Sequence, residues 1–369
     1  MTRTLSGFSV LPMHFRKLAI FAAAMLVLAI AARAQSSAPD ELSIKLTPAD
    51  HSAALSAKVG MHHAYPANNA AGRALRARQT AERRPSNTAS DNGQASGKIL
   101  QYAGDLTSLG GQVLKSAVSH AIYLQRQTGA QCTIATCWGD PDGFLRDLGN
   151  SDFIHVIDQY VGSHDANRYT VGFHATVKYA PQTTPMLDSD IMTFVHAVAA
   201  QSGASGHGHI YHVFLPPGQD ECFDSTLSVC YSPDNPATFA FCAYHDYADF
   251  PDIGRVIYTV HPYANIPGGC QVQPGTPNGE LVDSTDNILN HETFETITDP
   301  DLDAWRNESG AADLFTLEVA DECQFYVILD DQYFSDVPTF LIGAHRYSVQ
   351  LMYSNEQHAC SSAASRGNP

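Results

Sequence analysis

The sequence predicts one α+β or α/β domain built on a mixed β-sheet. Short apolar runs typical of strands alternate with segments whose apolar residues recur at helical spacing, and Pro- and Gly-rich loops separate them. Eight cysteines, an even number, add disulfide bonds to this prediction. The domain is expected over residues 98–362, followed by a short disordered tail at residues 363–369.

Six runs predict strands, and two segments predict helices. The helical segments are residues 152–161 and 190–200, where apolar residues recur every three to four positions. The strand-like runs, rich in β-branched and aromatic residues, are residues 121–124, 169–173, 209–215, 255–260, 325–329 and 347–352.

The N-terminus has the pattern of a signal peptide. Arg16 and Lys17 precede an apolar run at residues 18–32, and Ala32-Arg33-Ala34 is a small-x-small cleavage site, so we expect residues 1–34 to be removed. The run is shorter than the roughly 20 residues that span a bilayer. The mature chain is therefore expected to be secreted, to the medium or the periplasm, without a membrane span. Its cysteines are then expected to form disulfides, although the sequence leaves their pairing open.

Residues 35–97 are rich in Ala, Ser, Asn, Arg and Gln and show no sustained period. Such a composition buries too little apolar surface to fold alone and predicts a disordered, low-complexity segment. A flexible spacer is the favoured interpretation, and a pro-segment cut near Arg83-Arg84 is the alternative.

The charge of the chain disfavours two classes of partner. The formal net charge is −17, and residues after 98 hold nine basic side chains against 33 acidic ones. Such a surface disfavours nucleic acid and anionic lipid. It suits metal cations or cationic substrates, and it also serves simply to keep an exported protein soluble.

A helix predicted between residues 283 and 299 carries the chemistry. Asp283, Ser284 or Thr285 can cap its start, and Pro300 ends it. At about 100° per residue, Glu295, Asp299 and Glu292 lie within about 100° of His291. This H-E-x-x-E face resembles the H-E-x-x-H helix that holds zinc, in which the intervening Glu polarises water. With a carboxylate at the fifth position, calcium or manganese also becomes competitive. The alternative is a surface helix with solvated side chains.

Two further carboxylates, Glu318 and Asp321, follow His291 by 27 and 30 residues. Zinc hydrolases take a third ligand from such a distance, so both are candidate ligands, with an acidic loop beside a disulfide as the alternative. The histidines at 207, 209 and 212 do not share a strand face, and a metal role there is disfavoured. His245 is expected to be a hydrogen-bonded loop residue. The sequence contains no G-x-S-x-G elbow and no Gly-rich phosphate loop.

Several segments together resemble a family of exported bacterial proteins related to the plant phosphate-induced, Exordium-like proteins. The resemblance covers most of residues 205–360 and, more weakly, the part from Lys98. The segments that carry it are residues 211–218, 241–245, 256–260, 290–300, 304–305, 318–323, 347–350 and 354–355, with Cys270 and Cys360.

The resemblance implies a zincin-like metallopeptidase. Its segment S/N-H-E-x-x-E-x-x-T-D-P matches residues 290–300, which makes His291 and Glu295 metal ligands and Glu292 the general base. It leaves Asp299, Glu318 and Asp321 as further ligand candidates. The plant relatives lack the His-Glu pair and are regarded as cell-wall proteins linked to growth, so membership of the wider family does not imply an enzyme.

Two functions follow as hypotheses. The leading one is an exported metal-dependent hydrolase, a peptidase, in which Glu292 takes a proton from a metal-activated water. The competing one is a non-catalytic protein that binds cell-wall or matrix material and holds structural calcium or no metal. The imidazole of His291 favours a transition metal such as zinc over calcium. The substrate is a peptide in the first hypothesis and a cell-wall component in the second.

Overall fold

The structure is a computed structural model that describes residues 41–60, 62–75, 105–129, 132–180, 184–307, 318–324 and 337–364. All of them belong to one compact unit, Asp40–Pro369. The expected signal peptide, the strand expected at residues 325–329 and the end of the expected tail lie outside the described residues.

The described residues form strands, α-helices and one 3-10 helix. The helices are α1 (Pro48–Ser56), α2 (Ile134–Cys137), α3 (Pro141–Gly149), the 3-10 helix (Phe153–Ile157), α4 (Asp158–Val161), α5 (Asp188–Ser202), α6 (Glu280–Thr298) and α7 (Asp321–Gln324). The strands are β1 (Glu41–Ser43), β2 (Lys58–Val59), β3 (His63–Pro66), β4 (Thr107–Ser108), β5 (Ala117–Arg126), β6 (Tyr169–Tyr179), β7 (Met186–Leu187), β8 (His209–Phe214), β9 (Glu221–Cys222), β10 (Cys230–Tyr231), β11 (Phe241–Phe250), β12 (Gly254–His261), β13 (Trp305–Arg306), β14 (Thr339–Ile342), β15 (His345–Ser348), β16 (Met352–Ser354) and β17 (Ala359–Ser361).

A mixed eight-stranded sheet lies at the centre of this unit. Its strand order is β1-β6-β5-β8-β12-β11-β2, and β3 also pairs with β11. The pairs from β1 to β12 are parallel, whereas β12 with β11, and β11 with β2 and β3, are antiparallel. The presence of helices and a mixed sheet confirms the prediction of a domain that combines α and β structure.

Helices cover both faces of the sheet. Ile122 of β5 packs in one core with Val195 of α5, whereas the next residue, Tyr123, packs in a second core with Phe294 of α6. Successive strand residues point to opposite faces, so α5 and α6 lie on opposite sides of the sheet. The predicted strands at residues 121–124, 169–173, 209–215 and 255–260 correspond to β5, β6, β8 and β12.

Two predicted elements differ in detail. The strand expected at residues 347–352 is divided, because the backbone N–H of Gln350 donates to the Asn287 side chain of α6, at 2.9 Å, instead of to a neighbouring strand. The helix expected at residues 152–161 begins as the 3-10 helix and continues as α4.

Helix α6 starts earlier than predicted and ends where predicted. Its first residue is Glu280, and Asp283 accepts hydrogen bonds from the backbone of Asn278 and Ser348, at 2.9 and 3.1 Å, instead of capping the helix. The helix ends at Thr298, and every residue from 283 to 298 is buried. The alternative of a solvated surface helix is therefore wrong.

The expectation of a disordered spacer is wrong for residues 41–75. Strand β1 pairs with β6, β2 and β3 pair with β11, and Asp50 of α1 lies 2.9 Å from the buried imidazole of His196. Edge strands join a sheet mainly through backbone hydrogen bonds, so this segment needs few apolar side chains. Residues 35–40, 61 and 76–97 of the expected spacer lie outside the described residues.

A truncation tests the role of this segment. A chain that begins at Lys98 is expected to lose cooperative thermal unfolding, because it lacks three sheet strands and helix α1, whereas a chain that begins at Gln35 keeps it. Near-ultraviolet circular dichroism during heating measures the difference. An equal melting temperature for the two chains would contradict the assignment.

All eight cysteines form disulfides, which confirms the prediction from their even number. One of the bonds, between Cys323 and Cys360, attaches the short helix α7 to β17. The other pairs are Cys132–Cys137, Cys222–Cys230 and Cys242–Cys270. Within the described ranges, the structure contains no helix of the length and apolarity needed to cross a membrane.

Candidate metal centre

The regular geometry of an α-helix brings the first and last residues of the H-E-x-x-E segment together. His291 and Glu295 are one turn apart on α6, both have zero exposed surface, and His291 Nε2 lies 3.1 Å from Glu295 Oε2. The other ring nitrogen of His291, Nδ1, lies 3.3 Å from Gln350 Oε1. An amide oxygen can only accept, so Nδ1 carries the proton and Nε2 offers its lone pair.

The carboxylates of Glu318 and Asp321, which belong to a separate segment, lie close to His291 and Glu295. The backbone N–H of Asp321 donates to Glu295 Oε1 at 3.1 Å, and Asp321 Oδ1 lies 3.8 Å from His291 Nε2. Gln350 Nε2 donates to the carbonyl of Ala320 at 2.8 Å, so one side chain positions both His291 and the segment that holds Asp321. Glu318 is fully buried in the same segment.

Two histidines from the sheet complete the cluster. His63 of β3 and His245 of β11 are paired directly across the antiparallel ladder, on the face that α6 covers. His63 Nε2 lies 2.7 Å from Asp321 Oδ2, and His245 Nε2 lies 3.2 Å from Glu318 Oε2. Both Nε2 atoms are 3.7 Å from Glu295 Oε2. The sheet thus supplies imidazoles to a site whose carboxylates come from α6 and residues 318–321.

Neither sheet histidine was assigned to the site from sequence. His63 lies in the expected spacer, and His245 was expected in a loop but belongs to strand β11. The signal that could have found them is the short buried strand pattern around each residue, since paired strands place facing side chains about 5 Å apart. No spacing rule links residues that are 182 positions apart.

In each of three overlapping groups, the donor atoms lie within 4.8 Å of one another, which is close enough for them to share an ion. Each histidine belongs to a different group, and Glu295 belongs to all of them. The groups are His63, Glu295 and Glu318; His245, Glu292 and Glu295; and His291, Glu295 and Asp321.

Asp299 is the one sequence candidate that the structure leaves outside these groups. It follows the last residue of α6 and has φ −146° and ψ 59°, so its side chain leaves the helical face. Its carboxylate accepts the backbone N–H of Ala304 at 2.6 Å and lies 3.5 Å from Arg306 Nε. Burial and the nearby Glu318 raise the pKa of Asp299 to about 7. We assign it the role of securing the turn after α6.

Burial dominates the electrostatics of the centre. It raises the pKa of Glu292 and of Glu295 well above the usual range, and the neighbouring carboxylates of Asp321 and Glu318 raise them further. A backbone hydrogen bond from Tyr65 acts in the opposite direction on Glu292. Burial lowers the pKa of His291 to about 3, so its imidazole is neutral. A neutral imidazole among crowded carboxylates is the kind of donor set found in a cation site.

Two observations indicate that the arrangement of these ligand atoms fits a metal ion. Nε2 of His291 and Oε2 of Glu295 are buried and make no hydrogen bond to the described residues, which is costly unless another partner satisfies them. Ligand atoms on tetrahedral zinc lie about 3.3 Å apart, given bonds of about 2.0 Å. The separation from His291 Nε2 to Glu295 Oε2, 3.1 Å, matches that spacing, and Asp321 Oδ1, the third donor of this group, lies 3.8 Å from His291 Nε2.

The other histidines considered from sequence have separate partners among the described residues. His207 pairs with Asp301, at 2.9 Å, and His209 lies 3.0 Å from His120. His212 contacts hydroxyl groups of Ser119 and Thr259 at 3.1 and 2.8 Å.

His62, next to His63, contacts a second set of carboxylates. Its Nδ1 lies 2.7 Å from Asp246 Oδ2, and its Nε2 lies 3.9 Å from Asp188 Oδ2. Burial lowers the pKa of His62, but the charges of Asp188, Asp246 and Glu221 outweigh burial and raise the pKa to about 9.

This pKa predicts a pH-dependent contribution to stability. Because the folded pKa is above the ordinary value of 6.5, the contribution of charged His62 is complete below pH 6.5 and is lost as pH rises through 9. His62→Gln is expected to lower the free energy of unfolding by about 3 kcal/mol at pH 6 and by much less above pH 9. Urea unfolding at the two pH values measures this, and an equal loss at both would contradict it.

Comparison of the chain with protein-family models, with curated proteins and with solved structures finds no match. The geometry of the centre is therefore the basis on which its chemistry is assigned.

Proposed function

We propose that the protein is an exported, metal-dependent hydrolase with a zincin-like centre, and that its substrates are peptides. The observation that supports this proposal is a buried cluster of three imidazoles and the carboxylates of Glu292, Glu295, Glu318 and Asp321, which form three overlapping groups that share Glu295. The disulfides agree with an oxidising, extracytoplasmic environment.

Zinc is the metal that these donors favour. Calcium takes oxygen ligands and has little use for imidazole, whereas imidazole suits zinc and other transition metals. The residues that would hold it are His291, Glu295 and Asp321, with His63, His245 and Glu318 around them. When bound, the ion polarises a carbonyl and makes water acidic enough to lose a proton near neutral pH.

The chain supplies the proton transfers. Glu292 has zero exposed surface and lies in one group with His245 and Glu295. Its raised pKa suits a group that takes a proton from the attacking water and then returns it to the leaving amine. His291 is fixed by Gln350, so its donor atom keeps one orientation throughout these steps. The buried surroundings strengthen each of these interactions by excluding water.

A peptide-library experiment tests the proposal. The mature protein from Gln35 is incubated with a mixed synthetic peptide library, and new termini are identified by mass spectrometry. Cleavage is expected, and prolonged dialysis against 1,10-phenanthroline is expected to abolish it until zinc is added back. Calcium is the matched control and should not restore it.

Two results would count against a peptidase. One is the absence of any cleavage by protein that has been shown to contain zinc. The other is cleavage that persists after the metal has been removed. Binding of insoluble cell-wall material without hydrolysis would favour the non-catalytic alternative.

A further inference from the structure

The cluster on the face of the sheet that α6 covers has more candidate metal ligands than one zinc ion binds. Structural and catalytic zinc ions take four ligands, and catalytic ones keep one position open. Six histidine and carboxylate side chains, apart from Glu292, lie in the overlapping groups. The three histidines fall into three different groups, which have Glu295 in common. A single ion therefore leaves several of these buried donors without a role.

The carboxylates are arranged as bridges between histidines. Glu318 presents Oε1 to Nδ1 of His63, at 3.4 Å, and Oε2 to Nε2 of His245, at 3.2 Å. Asp321 presents Oδ2 to His63, at 2.7 Å, and Oδ1 to His291, at 3.8 Å. In both residues, each oxygen of one carboxylate faces a different imidazole. A carboxylate that connects two ions uses its two oxygens in this divided way, and Asp321 does so between His63 and His291.

Glu295 has the most central position. Its Oε2 lies 3.1 Å from His291 Nε2 and 3.7 Å from Nε2 of both His63 and His245. Its Oε1 is already used by the backbone N–H of Asp321. The oxygen that faces all three histidines is thus placed between the potential ion positions.

The charges also favour two ions. Glu292, Glu295, Glu318 and Asp321 carry four negative charges when ionised. Two divalent cations offset four charges, whereas one offsets only two.

We infer that the centre binds two divalent transition-metal ions that share Glu295. One lies in the group of His291, Glu295 and Asp321, and the other in the group of His63, Glu295 and Glu318, with His245 beside it. This inference rests on the proposed metal-dependent function and deepens it. Two-metal hydrolases hold ions about 3.5–4 Å apart and stabilise both attacking and leaving groups.

The number of bound ions and the exchange coupling between them are measured on the intact mature protein. Inductively coupled plasma mass spectrometry after dialysis is expected to find two zinc ions per chain. Protein reloaded with Mn²⁺ alone is expected to give the electron paramagnetic resonance spectrum of an exchange-coupled pair. His63→Ala is expected to reduce the count to one and to remove the coupling. His196→Asn, which replaces a buried imidazole held by Asp50 and Asp252, is the matched control and should keep both ions.

Each other outcome has a distinct meaning. One ion per chain in the wild-type protein overturns the two-ion inference and leaves the proposed hydrolase intact. Two ions without exchange coupling overturn the shared position of Glu295. No ion overturns both the inference and the proposed function. The wild-type count decides between these outcomes even if a variant fails to fold.

Discussion

Glu292→Gln is expected to lower kcat on cleaved peptides by about 10³-fold while metal content and melting temperature stay unchanged. Gln has the shape of Glu but cannot accept the proton of the attacking water. In the buried position of Glu292, the neutral amide also avoids the cost of a buried charge, so the fold is not expected to suffer.

Steady-state kinetics with one peptide found in the library, together with elemental analysis, measures both parts of this prediction. Glu221→Gln is the matched control, because Glu221 is equally buried but contacts Tyr244 instead of the cluster. Its kcat should equal that of the wild type. Unchanged turnover in Glu292→Gln would show that Glu292 is not the general base.

Glu295→Ala is expected to remove all bound metal and to abolish activity, because Glu295 belongs to each of the three candidate groups. The variant should also lose the response of stability to chelation. A ligand present at about 1,000 times its Kd stabilises a fold by about 4 kcal/mol, so wild-type protein should melt several degrees lower after the metal is removed. The melting temperature of the variant should be the same with and without chelator.

Asp299→Asn is the control for this second prediction. The sequence assigned Asp299 to the metal, whereas the structure places it after α6 with Ala304 and Arg306 as partners. This variant should keep its metal and its response to chelation. Loss of metal in Asp299→Asn, or full metal content in Glu295→Ala, would show that the ligand set is assigned wrongly.

The part of the centre that could be predicted is the part carried by one helix. His291 and Glu295 are four residues apart, so helical geometry alone brings them to one face. The same arithmetic fails at Asp299, because the helix has ended at Thr298 and the angular relation no longer holds. Glu318 and Asp321 were predicted as ligands from their distance along the chain from His291. The side chains that they contact could not be predicted from that distance.

The histidines of the sheet could not be predicted in this way. His63 meets His245 only because β3 pairs with β11 in one particular register. Shifting that register by one residue would turn His63 to the opposite face, where the carboxylates that surround His62 lie. The pairing depends on packing throughout the sheet, which local composition does not record.

The segment before residue 98 shows the same limit. Its polar composition predicted disorder, yet residues 63–66 are entirely buried in β3. These residues gain their burial from β11 and α6, which are remote in sequence. Composition describes what a segment can do alone, and this segment folds only as an edge of a larger sheet.

Anomalous X-ray diffraction at the zinc absorption edge, from crystals of the mature protein, tests the central claim most directly. The claim predicts anomalous density within bonding distance, about 2.0–2.2 Å, of His291 Nε2 and Glu295 Oε2. No such density at the cluster in zinc-supplemented crystals, or zinc bound only elsewhere on the chain, would contradict it.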